Sequence, residues 1–161
     1  SEPSLLQIEN RIRQINPQAV IATAVHAPVG AASHGDAEIG LEELRGRKVF
    51  AFCGLGNPQA FFDTIRRMGC SLVGSIGFDD HHPYSDQCLR QICGQARHCK
   101  ADFILTTHKD WTKISQFSPP EGSPTLAYLA IELRLTAGAE QLTALIERVL
   151  DGRIPSLQGP G

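Results

Sequence analysis

The sequence has no uninterrupted apolar stretch of the length that spans a bilayer, so no transmembrane helix is expected in it. It also has no basic amino-terminal segment leading into an apolar core and a cleavage site, and a secretory leader is not expected. Neither sign of charge is in excess. With 15 basic and 17 acidic residues the formal charge is −2, and bulk electrostatics gives no reason to expect nucleic acid or an anionic membrane as a partner. Paired Cys-x-x-Cys spacing is missing, and the five cysteines sit mostly in apolar-periodic segments, which fits a reducing, cytoplasmic setting. No Gly-x-x-x-x-Gly-Lys-Ser/Thr occurs, so no segment carries that phosphate-cradling loop.

What is present is a chain of 161 residues, long enough to bury one substantial core, and a single compact domain over 1–161 is expected. Ser4 followed by Leu5, Ile8, Ile12 and Ile15 predicts a short amphipathic helix ending at Asn16 and Pro17. A strand is expected at Ala19–Val25. The Gly-, Ala-, Ser- and His-rich stretch from His26 to Gly40 lacks periodicity and reads as a surface connection, partly mobile. Lys48–Cys53 reads as a buried strand, followed by a helix that Asn57 caps, Pro58 opens and Gly69 stops, with Phe61, Phe62, Ile65 and Met68 on one side. A second buried strand is expected at Ser71–Phe78, then a helix capped by Ser85 with Leu89, Ile92, Cys93 and Ala96 inward. Phe103–Thr106 and Leu126–Leu133 read as further strands, and Ala139–Leu150 as a closing helix with Leu142, Leu145, Ile146 and Val149 on one face. Strands alternating with helices predict an α/β fold with a layered, mostly parallel, Rossmann-like sheet and flanking helices. Ligands gather at the carboxyl ends of such strands. No second site is expected in the Pro/Gly-rich tail.

Three polar loops follow predicted strands. Gly54-Leu55-Gly56 precedes a helix and could admit an anion to the helix amino end, but it lacks the further glycine or the Gly-Lys-Ser/Thr that nucleotide loops use, and a tight turn is the commoner meaning of paired glycines. Asp79-Asp80-His81-His82-Pro83-Tyr84 sets two carboxylates beside two imidazoles, a combination able to hold a metal or to polarise a base, and equally the composition of a solvated turn. Phosphoesterases built on Asp-His-His need further aspartate motifs, and none stands upstream. In Thr106-Thr107-His108-Lys109-Asp110, hydroxyls and a lysine could hold phosphate, against the plainer reading of a capped turn with a surface Lys and Asp. Cys88, Cys93, His98 and Cys99 match no zinc spacing and read as buried thiols, so no metal site is expected of them.

Four pieces in order resemble the tetraacyldisaccharide 4'-kinase family of lipid A biosynthesis, from Leu41 to about Ile114. They are Leu44-Arg45-Gly46-Arg47-Lys48-Val49; Ala51-Phe52-Cys53-Gly54-Leu55-Gly56-Asn57-Pro58 with Phe61-Phe62; Phe78 with Asp80-His81-His82-Pro83-Tyr84; and Thr106-Thr107 with Lys109-Asp110 and Lys113. The resemblance implies an enzyme whose amino-terminal P-loop domain holds ATP and Mg2+ while this chain, the carboxy-terminal domain, completes the cleft over an acylated disaccharide phosphate. It implies a catalytic role for His81, which would orient an aspartate of the P-loop domain, with Asp80 and Tyr84 shaping the loop. Asn57, Thr107 and Lys109 are the other residues it assigns to substrate binding or loop shaping. The intact enzyme would be cytoplasmic and peripheral to the inner membrane, touching it only through a region outside this chain. Alone, the chain is expected to bind no nucleotide and to be inactive. Two departures stand out: His108 where the family usually has Glu, and Trp111-Thr112 where it has a small apolar pair. Two other functions remain open at this point, a stand-alone module binding a small anion or sugar phosphate, and a metal-dependent phosphohydrolase using Asp79, Asp80, His81 and His82.

Overall fold

A computed structural model of the protein describes residues 4–152. Its elements are α1 (Leu5–Ile15), β1 (Thr23–Ser33), a 3-10 turn (His34–Asp36), β2 (Glu38–Ile39), α2 (Leu41–Leu44), β3 (Lys48–Cys53), α3 (Pro58–Arg67), β4 (Ser71–Gly77), α4 (Asp86–His98), β5 (Phe103–Thr107), α5 (His108–Ile114), β6 (Thr125–Ala137) and α6 (Ala139–Leu150). The strands form one sheet in the order β2-β1-β6-β5-β3-β4. β3 runs parallel to both β4 and β5, β5 runs parallel to β6, and β1 is antiparallel to β2. This is the expected α/β, mostly parallel, Rossmann-like architecture.

The chain divides into two units, Ala27–Glu132 and a smaller one made of the first 26 residues and those from Leu133 onward. In Ala27–Glu132 the period-two alternation of β3 builds the core. Val49, Ala51 and Cys53 belong to one apolar cluster with Phe61, Phe62 and Ile65 of α3, and Phe50 and Phe52 to another with Leu89, Ile92, Cys93 and Ala96 of α4 and Trp111 and Ile114 of α5. Burying each large side chain of this kind is worth about 1.5–3 kcal/mol. The helices start where local chemistry says they should: Asn57 accepts from the Ala60 N–H with Pro58 in the first turn, Ser85 accepts from Cys88, and Thr107 from Asp110. In the smaller unit, Ser4 and Gln7 form a reciprocal capping box on α1, and the hydroxyls of Thr23 and Thr136 lie 2.9 Å apart. None of its described residues is buried.

Several expectations need correction. The strand expected at Ala19–Val25 lies at Thr23–Ser33, and the supposed connection from His26 to Gly40 holds most of that strand, a 3-10 turn and β2. Its buried residues in β1 are small, Ala27, Gly30, Ala31 and Ala32, so this strand packs by close approach rather than by bulk and shows no apolar period, while Ile39 of β2 is the large apolar side chain buried in the segment. A Cβ on Gly30 would stand 2.8 Å from the Ile39 carbonyl oxygen. β4, expected to be buried, is an edge strand with no buried residue, because only β3 pairs with it. β6 continues to Ala137, four residues beyond the expected end, and those added residues are exposed. The apolar face of α6 exists, yet none of it is buried. α2 and α5 were not expected as helices. The Pro/Gly-rich tail beyond Gly152 lies outside the described residues.

Candidate functional site

The order of the sheet creates a reversal between β3 and β5. β3 leads through α3 to β4 on one side, and β5 leads through α5 to β6 on the other. The crevice at such a reversal, beyond the carboxyl ends of the strands, is where parallel sheets place their sites. Here the loops after β3 and β5 meet on one side chain, Asp110.

Asp110 reads from sequence as a surface residue of a capped turn, but its side chain is 0 % exposed. Its Oδ2 accepts the Gly54 N–H at 2.9 Å and the Thr107 hydroxyl at 2.7 Å, while Thr107 Oγ1 accepts the Asp110 N–H at 3.1 Å. Lys113 Nζ lies 3.8 Å from Oδ1. Among the described residues neither Asp110 Oδ1 nor Tyr84 Oη has a hydrogen bond of ordinary geometry. Both crowd Gly54, where a Cβ would stand 3.0 Å from Asp110 Oδ1, 3.2 Å from Tyr84 Oη and 3.3 Å from the Asp79 carbonyl oxygen. Gly54 is therefore needed for close packing. Its N–H donates to the Asp110 carboxylate, with the Tyr84 hydroxyl and the Asp79 carbonyl oxygen beside it. Burial, reinforced by the Asp110 charge, pushes the neighbouring Cys53 thiol up to about 12. The same two causes raise the Tyr84 phenol well above its ordinary value.

The second half of the site is the loop after β4. His82 N–H donates to the Asp79 carbonyl at 3.1 Å, closing a turn in which His81 takes φ 63°, a left-handed conformation that histidine tolerates better than most residues. His81 N–H donates to Asp80 Oδ1 at 3.1 Å, and its Nε2 lies 3.6 Å from Asp80 Oδ2. Lys109 Nζ donates to Asp80 Oδ1 at 2.5 Å. That hydrogen bond is the largest cause holding the Asp80 carboxyl below its usual range, with the charges of His81 and Lys109 adding to it against desolvation. The His81 side chain is 78 % exposed. His82 instead turns inward, stacked on Phe78 at 4.4 Å and edge-on to Tyr84 at 5.0 Å between ring centroids.

The fold thus brings together Asp80, His81, Tyr84, Thr107 and Lys109. Asn57 caps α3, and among the described residues no hydrogen bond joins it to the Asp79–Tyr84 loop. His81 and His82 point to different surroundings, a lysine ammonium holds Asp80, and among the described residues no three His, Cys, Asp or Glu side chains are placed to share an ion. The phosphohydrolase reading therefore lacks a convergent ligand set. His108 and Trp111 gather round Tyr128, at 4.8 and 5.5 Å between centroids, with His34 at 4.7 Å from Trp111, so the four rings form one aromatic group. Asp110 and α5 went unrecognised in sequence although a signal was there: Thr107-His108-Lys109-Asp110 is a capping-box spacing, followed by apolar Trp111 and Ile114 three residues apart.

Fold and site together define a Rossmann-like α/β protein with a polar cluster across the carboxyl edge of its parallel strands. The chain belongs to the Tetraacyldisaccharide-1-P 4'-kinase family, whose model matches residues 6–151. Among similar proteins, the Tetraacyldisaccharide 4'-kinase of Desulfotalea psychrophila is 44% identical over 72 residues, 45% of this chain and 21% of that protein. That of Halothermothrix orenii is 32% identical over 126 residues, 72% of this chain and 33% of the relative. That of Rhodopseudomonas palustris is 35% identical over 116 residues, covering 72% and 34%. The crystal structure of the "apo" form of LpxK from Aquifex aeolicus in complex with ATP shares the fold, with a TM-score of 0.56 over 92% of this chain and 45% of that one, at 21% identity. The matched region spans 21% to 34% of the length of the three curated relatives.

Proposed function

We propose that this chain is the carboxy-terminal, substrate-side part of a tetraacyldisaccharide 4'-kinase, which transfers a phosphoryl group from ATP to the 4'-hydroxyl of tetraacyldisaccharide 1-phosphate in lipid A biosynthesis. The observation that carries the reading is His81, exposed at the carboxyl edge of the sheet and tethered to Asp80, in a chain belonging to this family. ATP and Mg2+ are held, in this reading, by an amino-terminal P-loop part of the enzyme.

Phosphoryl transfer rests on positioning and charge stabilisation, with a base to take the sugar hydroxyl proton. An aspartate of the P-loop part takes that proton as the hydroxyl oxygen takes the phosphoryl group, and His81 hydrogen-bonds the aspartate and fixes its orientation. Lys109 holds Asp80, and Tyr84 packs beneath the loop. The P-loop part also has a surface to meet: Leu5, Leu6 and Ile15 of α1 and Leu150 of α6 are largely exposed, in a unit without a buried described residue. The intact enzyme sits on the cytoplasmic side of the inner membrane, through a region outside this chain.

The test compares the complete enzyme, its His81→Ala variant and the 161-residue chain, each with Mg-ATP and tetraacyldisaccharide 1-phosphate. The variant is expected to lose about 10²-fold or more in kcat with KM little changed, and the 161-residue chain to show no turnover. An undiminished kcat in the variant would remove His81 from the reaction. Turnover by the short chain would show that it holds ATP itself.

A further inference from the structure

The two lysines of α5 are four residues apart, so they share a face of the helix, and both reach the loop that carries His81. Lys109 Nζ donates to the Asp80 side chain, and Lys113 Nζ donates to the His82 carbonyl oxygen at 3.4 Å. Their counter-charges differ. Asp80, which neutralises Lys109, belongs to the loop itself, whereas Lys113 is paired with Asp110, 3.8 Å away on its own helix and completely buried. Lys113 Nζ also stands 5.7 Å from the centroid of the Tyr84 ring, which helps fix where the ammonium rests.

A buried carboxylate persists only where donors and a cation compensate its lost hydration. Gly54 N–H and the Thr107 hydroxyl satisfy Oδ2, which ties the ends of β3 and β5 to one group. Oδ1 is left facing Lys113 and, over Gly54, the Tyr84 hydroxyl. Capping of α5 does not require this arrangement, because the Thr107 hydroxyl already caps that helix. We infer that Asp110 is a positioning residue: it anchors Lys113, and Lys113 with Lys109 clamps residues 79–84 so that His81 is presented in one place. α5 then acts as a bracket between the rigid strand ends and the loop. The inference rests on the kinase reading of His81.

The experiment has two arms. In the 161-residue chain, amide hydrogen exchange is followed for Asp110→Asn, which keeps the shape and removes the charge, and for Lys113→Met, which removes the counter-charge at a side chain that is 28 % exposed. Exchange in residues 79–84 is expected to rise about tenfold or more in each folded variant, with Leu89–Ala96 of α4 unchanged. In the complete enzyme, Lys113→Met is expected to lower kcat by about tenfold to a hundredfold with KM nearly constant. Lys113→Arg should recover most of it. In a His81→Ala background Lys113→Met should cost nothing further, since a clamp that acts through His81 has nothing left to position. Unchanged exchange at 79–84 in Lys113→Met, or full additivity with His81→Ala, would overturn the inference while leaving the kinase reading in place. Loss of the kinase reading has a separate sign, an undiminished kcat in His81→Ala alone.

Discussion

Gly54 shows how tightly the site is built at the scale of one residue. A methyl group there would meet Asp110 Oδ1, Tyr84 Oη and the Asp79 carbonyl oxygen at 3.0, 3.2 and 3.3 Å. Two of those atoms are buried polar groups with no room to retreat, so Gly54→Ala is expected to destabilise the chain by about 1–3 kcal/mol, measured by urea denaturation. The Asp80–Lys109 pair predicts a pH dependence. Because the hydrogen bond from Lys109 lowers the folded-state pKa of Asp80, the stability it contributes is fully present above the ordinary aspartate range and is lost as pH falls through the lowered folded value. The stability difference between the natural chain and Lys109→Met should therefore be largest near neutral pH and vanish in acid; a difference constant with pH would contradict the pairing. High salt should also shrink it, since both side chains are partly exposed. The polar loops Asp79–Tyr84 and Thr106–Asp110 stand out in the sequence because their composition is local. The burial of Asp110 does not, because an aspartate looks like a surface residue until the neighbouring of β3 and β5 brings Gly54 to it.

At the scale of elements, what was legible followed from neighbouring residues. The caps of α1, α3 and α4 lie where Ser4, Asn57 and Ser85 indicate, and Ser85→Ala is expected to cost about 1 kcal/mol, seen as a lower Tm with an unchanged denaturant slope. β1 was misread for a physical reason. Alanine and glycine carry too little apolar surface to mark a strand, yet their smallness is what lets β1 lie against β2. Gly30→Ala would put a methyl 2.8 Å from the Ile39 carbonyl oxygen, and faster amide exchange in Ala31 and Ala32 than in β3 would register the damaged β1–β2 pairing. Unaltered exchange there would mean that the short strand adjusts freely.

For the molecule as a whole, the alternation of strands and helices announced a parallel α/β sheet, but strand order was not legible, since no local pattern tells β3 to sit between β4 and β5. Nor did amphipathic periodicity reveal that the apolar faces of α1 and α6 would remain uncovered within the described residues. In the 161-residue chain these two helices are expected to exchange their amides far faster than β3 and β5, and a covering by the proposed P-loop part would slow that exchange. The cysteines supply an independent clock for such motions. Cys88 and Cys99 are partly accessible, whereas Cys53, Cys70 and Cys93 are buried, and burial beside the Asp110 charge keeps the Cys53 thiol protonated at neutral pH. An alkylating reagent will therefore mark Cys53 only when the carboxyl edge of the sheet opens to solvent, so the natural sequence already carries, directly beneath the site, a chemical recorder of how often that edge comes apart.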